Sequence, residues 1–206
     1  GADEGTRWYR APTDNDTDLM FRKLMQPYTC QTEKMLSAAQ TADGWQVVTR
    51  VKNKRGTYTV TDTYQGTDRG VLVTSVLHCD FGVRELPRFG KCFRLDEAFD
   101  AVQYLGRCGE SYCDMKDQFP IRRVDCTVAD MTEPNLRPQE SGNRMDCTVA
   151  SVSDGKTRVV FEAVDRPFEL AIKPYTDRAL LTMKHREDET RTGTYVTIQA
   201  FQQGIG

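Results

Sequence analysis

The residues best suited to chemistry are few and locally grouped. Asp14-Asn15-Asp16-Thr17-Asp18 sets acids at alternate positions, as a calcium loop does. An EF-hand would need Gly at the sixth position and Glu at the twelfth, where Leu19 and Met25 stand. The segment reads as a capping and turn cluster, with a different oxygen-ligand site as the alternative. Gly155-Lys156-Thr157 has the ending of a phosphate loop, but the Gly required five positions earlier is Ala150. Its Lys also follows an Asp-Gly turn rather than opening a helix, so a turn is expected. There are two histidines, His78 in an alternating apolar segment and His185 in a charged one. No Ser-His-Asp set can be assembled from them. Thirty carboxylates allow acid/base pairs in principle. A glycosidase needs two of them about 5–5.5 Å apart for retention, or about 6.5–9.5 Å apart for inversion. Spacing along strands does not reveal such a pair. The seven cysteines, Cys30, Cys79, Cys92, Cys108, Cys113, Cys126 and Cys147, are odd in number and lack zinc-site spacing. They are expected mostly as buried thiols.

The elements that must position these groups are mainly strands. Val (17) and Thr (23) outnumber Leu (12) and Ile (4), and β-branched residues fit pleated strands better than helices. Thr57–Tyr64 alternates, with Thr at odd positions and Tyr58, Val60 and Tyr64 on the other face. Gly70–Leu77 is a more fully apolar strand. Cys147–Val152 and Arg158–Val164 flank Asp154-Gly155, a hairpin signal. Gly193–Phe201 alternates again. Asp125-Cys126-Thr127-Val128-Ala129 recurs as residues 146–150, which reads as two similar strands rather than a repeat array. One short helix is expected over 17–25, capped by Asp16 or Thr17 and stopped by Pro27.

The chain of 206 residues carries a net charge of −2 and a mean hydropathy of −0.59. Near-neutral charge argues against a nucleic-acid partner. No apolar run has the length of a membrane span, and Gly1–Tyr9 lacks the apolar stretch of a secretory signal. A TIM barrel, at about 250 residues, does not fit. No linker-like segment divides the chain, so a single all-β domain spanning 1–206 is expected.

Five segments in order sharpen this reading. Trp8-Tyr9-Arg10-Ala11-Pro12-Thr13-Asp14-Asn15-Asp16 resembles the R-A-P-T-D-N-D signature of the C-terminal domain of glycoside hydrolase family 2 β-galactosidases. Leu86-Pro87-Arg88-Phe89-Gly90 is similar to that family's L-P-R-x-G strand. Tyr104–Asp114 is similar to its Y-x-G-x-G-P-x-E-N-Y-x-D loop, one residue shorter. Pro138-Gln139-Glu140-Ser141-Gly142-Asn143-Arg144 resembles P-Q-E-N-G-N-R, with Ser141 replacing an Asn. Gln203–Gly206 resembles the start of the closing Q-x-G-(I/V)-G-G segment.

The resemblance implies a large antiparallel supersandwich similar to the galactose-mutarotase fold, excised from a longer polypeptide and truncated at both ends. The parent would hydrolyse terminal β-D-galactosides with retention, its two catalytic glutamates lying on a separate barrel domain. This chain would cap the active site and support homo-oligomer assembly, with the barrel domain and the galactoside as partners, and no nucleic acid or membrane. No cofactor is implied in this chain, and a divalent cation such as Mg2+ is left to the parent. The parent's compartment is open, cytoplasmic or periplasmic in a bacterium. Candidate substrate-binding or loop-bracing residues are Arg10, Asp14, Asn15, Asp16, Glu110, Glu140, Asn143 and Arg144. Arg10 or Arg144 is expected to pair with a carboxylate and hold two loops together. Two other readings stand beside this one. A stand-alone carbohydrate-binding module would use Trp8, Trp45, Tyr104 or Tyr112 as a platform. A mutarotase-like isomerase would use His78, His185 and Glu110. Cut sheet edges predict self-association of the isolated chain.

Overall fold

The structure is a computed structural model, and it describes residues 5–16, 23, 25–80 and 86–204. The chain is all-β, built from antiparallel strands. It divides into two compact units, Gly1–Leu19 with Pro87–Gly206, and Met20–Leu86.

In the first unit, β1 (Gly5–Arg7), β6 (Arg88–Leu95), β9 (Arg144–Cys147), β12 (Phe168–Lys173) and β13 (Thr194–Gln202) form a five-stranded sheet, ordered β1-β6-β13-β12-β9. β7 (Ala101–Arg107), β8 (Ile121–Thr127), β10 (Val149–Ser153) and β11 (Arg158–Glu162) form a four-stranded sheet, ordered β11-β10-β7-β8. Val102, Tyr104, Ala150 and Val152 from one sheet meet Phe168, Leu170, Ile172 and Val196 from the other in a buried core. This unit is therefore a sandwich. β12 alternates as sequence pattern requires: Phe168, Leu170 and Ile172 face this core, so Glu169 and Lys173 lie on the opposite face. All six β12 residues are nevertheless buried. The second face is covered too, and that burial positions the site.

The second unit is a meander of β2 (Thr32–Thr41), β3 (Gly44–Asn53), β4 (Gly56–Thr67) and β5 (Gly70–Cys79), preceded by the single-turn α1 (Gln26–Thr29). Tyr58 and Val60 are buried on one face of β4 and the threonines occupy the other, as the alternation predicts. The Tyr28 and Tyr58 hydroxyls are hydrogen-bonded at 2.7 Å.

The Asp154-Gly155 hairpin joins β10 to β11 as expected. Asp154 Oδ1 accepts the N–H groups of Lys156 and Thr157, and Gly155 has φ +88°, so Gly155-Lys156-Thr157 is a turn. Other expectations are corrected. Of the helix expected over 17–25, residues 17–22 and 24 lie outside the described residues. Pro27 falls in the first turn of α1 instead of stopping a helix, because the N–H it lacks has no intrahelical partner there. The five-residue echo does not give two similar strands. Its first copy ends β8 and enters a 3-10 turn at Ala129–Met131, while its second begins inside β9 at Asp146, with φ +55°, and breaks at Thr148 before β10. The thiols are not mostly buried either. Cys92 and Cys147 are, but Cys30, Cys79 and Cys113 are exposed, since Cys30 follows a helix end and Cys79 ends an edge strand. Burial pushes the Cys147 thiol up to about 12 and Cys126 up to about 11. Among the described residues, no helix is long and apolar enough to cross a membrane.

Candidate functional site

The site grows from the polar face of the five-stranded sheet. Arg10 uses all five guanidinium N–H groups. Nη1 and Nη2 grip Asp16 at 2.6 and 3.0 Å, and the rest reach the carbonyls of Ala11, Gln203 and Gly204. The planar fork matches a carboxylate in this way. Burial alone would raise the Asp16 pKa, but the Arg10 and Thr13 hydrogen bonds outweigh it and hold it below the usual range. The chain start and the chain end are thereby tied together.

Beneath lies a closed ring of alternating charge. Arg88 on β6 is 0% exposed and bonds Glu140 at 2.9 Å and Asp177 at 2.5 Å. Lys173 on β12 reaches the same two carboxylates at 2.6 and 2.7 Å. Glu140 Oε2 accepts the Ala11 N–H at 3.0 Å, and Gln202 accepts from Arg88 Nε at 2.9 Å. Burial opposes ionisation of Asp177, but Lys173, Arg88 and Arg7 overcome it and hold the carboxyl well below its ordinary range. Burial likewise opposes the Arg88 charge, and Asp177 and Glu140 more than compensate. Asp177 opens the single-turn helix α2 (Asp177–Leu180), capped by Thr176.

Two further residues pin the neighbouring loops. Glu110 Oε1 accepts from the Tyr112 hydroxyl at 2.7 Å and the Gly142 N–H at 2.9 Å. Asn143 Nδ2 donates to Ser111 O at 2.9 Å and to Glu169 Oε2 at 2.8 Å. Gly142 takes φ +84°, and a Cβ there would run into the Met131 carbonyl, so only glycine fits. An open cleft of about 460 Å³ lies over these loops, lined among others by Asn15, Glu110, Tyr112, Asp114, Glu133 and Gln139.

The eight expected site residues divide by place. Asn15, Glu110 and Glu140 line the cleft. Asp14 is at the surface, its N–H bonded to Gln139 at 2.7 Å. Arg10, Asp16, Asn143 and Arg144 serve the bracing network. Arg10 has a carboxylate partner. Arg144 has none among the described residues and donates to the Tyr104 hydroxyl and the Asn143 carbonyl, both at 3.3 Å. The reading of residues missed Arg88 as a site residue, and missed Lys173, Asp177, Gln199 and Gln202 altogether. Arg88 lies in the Leu86–Gly90 segment, and Lys173 shares the alternating strand Phe168–Lys173 with Glu169; those were the available signals. Of the aromatic platform candidates, Trp8 and Tyr104 are buried, Tyr112 is half-buried and Trp45 is 51% exposed. His78 lies on the β5 edge in the second unit, and His185 begins a turn in the first. No cluster of three or more His, Cys, Asp or Glu side chains is arranged to hold a metal among the described residues.

Residues 2–206 match the profile of the beta galactosidase small chain. The chain belongs to the beta-galactosidase small-chain family. Among relatives of this small-chain member, the beta-galactosidase of Staphylococcus xylosus is 30% identical over 214 residues, covering 96% of this chain and 21% of its own length. The beta-galactosidase of Streptococcus thermophilus is 28% identical over 148 residues, covering 70% of this chain and 14% of its own. That of Lactococcus lactis is 28% identical over 124 residues. The small chain thus spans about a fifth of the length of the first of these relatives.

Proposed function

We propose that this chain is the non-catalytic β-domain of a retaining β-galactosidase, which caps the active site and supports assembly while a barrel domain outside this sequence supplies the acid/base and the nucleophile. The observation that carries this reading is the family match over residues 2–206, together with relatives named beta-galactosidase that are about five times longer. The site's chemistry supports it. Glu140 is ion-paired to two cations, and Glu110 accepts two hydrogen bonds. A retaining pair needs one carboxyl free to attack and one free to give its proton, and these two are committed to bracing. Asn15 and Asp14, both exposed, would meet sugar hydroxyls at the rim, with Glu110 braced beside them. Arg10, Asp16, Glu140, Asn143 and Arg144 keep that rim rigid. Dependence on a divalent cation such as Mg2+ belongs to the parent. The test is hydrolysis of a chromogenic β-galactoside. The chain alone gives no turnover, whereas the polypeptide extended through its barrel region does. Turnover by the pure chain overturns the proposal.

A second reading has one observation in its favour. Trp45 on β3 lies directly opposite Tyr64 on β4, which places two aromatic rings on one face of the second unit's sheet. A sugar-binding module would stack a ring there. Calorimetric titration with galactose and lactose decides, and absence of heat at millimolar sugar removes this reading.

A further inference from the structure

Hydrogen-bond accounting around Asn143 leaves one acceptor without a donor. Asn143 Nδ2 faces two acceptors, Ser111 O and Glu169 Oε2, so its orientation is fixed and Oδ1 must accept. Oδ1 does accept, from Gln199 Nε2 at 2.6 Å. That fixes Gln199 in turn, and Gln202 Oε1, already accepting from Arg88, takes the other Gln199 N–H at 3.3 Å. Gln199 Oε1 is then left buried with no donor, in a residue only 1% exposed. An acceptor stranded in this way is expensive, about 1–3 kcal/mol. The side chain beside it is Glu169, because Glu169 and Gln199 are directly opposed in the β12–β13 ladder and share a face. Gly90 stands opposite Gln199 on the other side, where a Cβ would come within 2.6 Å of the Gln199 Cβ. The row is therefore tightly confined.

We propose that Glu169 is held as the neutral acid in the folded chain, that its proton is donated to Gln199 Oε1 to close a three-residue hydrogen-bond ring with Asn143, and that this ring is a pH-sensitive clamp joining the 108–115 and 138–144 loops. Each member then has a partner in every direction the ring uses: Gln199 donates to Asn143, Asn143 donates to Glu169, and Glu169 donates to Gln199. The clamp reaches the loops through Asn143, whose Nδ2 holds Ser111 O and whose carbonyl accepts the Ser111 N–H. Ser111 Oγ in turn accepts the Met145 N–H at 2.9 Å. These loops carry Glu110, Tyr112 and Gln139 of the cleft.

The charged neighbours agree with this assignment. Arg88 on β6 favours the anion. Asp146 on β9 opposes it, and Cys147 beside it is a buried neutral thiol. Arg144 on β9 is turned to Tyr104 and the Asn143 carbonyl, and Lys173 on β12 to Glu140 and Asp177. β13 offers only the uncharged side chains of Gln199 and Gln202, and the Gln202 backbone N–H, like the Asn143 amide, hydrogen-bonds the Glu169 carboxyl and favours the anion. Glu110 and Tyr112 on the 108–115 loop bond each other. Unlike Glu140 and Asp177, Glu169 has no cation in ion-pair contact among the described residues. Burial dominates and pushes its carboxyl up to about 7. Loss of the proton leaves a buried anion beside a stranded acceptor, and the loops loosen.

The test is a carboxyl 13C titration of the glutamate-labelled chain between about pH 4 and pH 9, with Glu169 assigned through its backbone correlations. The expected midpoint lies at least about 1.5 units above that of exposed glutamates. Amide exchange at Ser111 and Met145, corrected for intrinsic rates, should accelerate by up to about tenfold per pH unit between about pH 4.3, where an exposed glutamate loses its proton, and that midpoint, and level off above it. Glu169→Gln presents the same acceptor to Asn143 and an N–H to Gln199, so it mimics the protonated form and should abolish the acceleration. A Glu169 midpoint in the ordinary glutamate range overturns the proposal. So does a Glu169→Gln chain that keeps the wild-type exchange profile. The wild-type titration decides even if that variant does not fold.

Discussion

At the residue scale, the site depends on side chains whose charge is buried and matched. Arg88 and Lys173 face Glu140 and Asp177 in a ring of four, and removing one member leaves its partners uncompensated. Arg88→Met should therefore lower unfolding free energy by about 3–5 kcal/mol, read by urea denaturation. Arg88→Met combined with Asp177→Leu leaves the single pair Lys173–Glu140 and should be destabilised less than Arg88→Met alone. A strictly additive double variant contradicts the ring. Arg10 was legible as a bracing residue because it sits beside Asp14 and Asp16 in one turn. Lys173 and Asp177 were not, because their partners Arg88 and Glu140 are remote in sequence and only the strand order of the five-stranded sheet brings them together.

At the element scale, glycine does different work in two turns of similar backbone. Gly155 has φ +88° with open space around it, and Gly142 has φ +84° with the Met131 carbonyl in the way of any Cβ. Gly155→Ala should cost about 1 kcal/mol, the left-handed backbone strain alone. Gly142→Ala should cost about 3 kcal/mol or more, because overpacking against backbone adds to that strain. Equal losses in thermal or urea denaturation contradict this account. The hairpin turn could be read from Asp-Gly between alternating strands. The Gly142 constraint could not, since its obstacle comes from the 3-10 turn at Ala129–Met131, which the pattern read as strand.

At the scale of the molecule, titration and exposed edges set behaviour. Asp16 and Asp177 are depressed in the fold, so their contribution is present above the ordinary aspartate pKa of about 3.9 and is lost as pH falls. Glu169 is raised to about 7, so its contribution is present below the ordinary glutamate pKa of about 4.3 and is lost as pH rises through 7. Denaturation midpoints should peak at about pH 4–4.5, where the aspartate gain is complete and the glutamate loss has barely begun, and fall on both sides. A stability that keeps rising to about pH 8 contradicts the Glu169 assignment. In the second unit, β5 is an edge strand of ten residues without Pro, Lys, Arg, Asp or Glu, and Val71 and Val76 are exposed on it. Such an edge invites pairing with another chain. Light scattering should show self-association that Val76→Lys weakens, and a monomeric wild type contradicts it. What the sequence determined by itself was local: period-two alternation made strands, Asp-Gly made a hairpin, and ordered motifs marked the family. What only the tertiary structure decided was which polar face is sealed. The alternation in Phe168–Lys173 implies one dry face and one wet face. The fold covers both, and that burial turns Glu169, Lys173 and Arg88 from solvated charges into a fixed network, because an ionisable group removed from water must find its partner inside the protein or give up its charge.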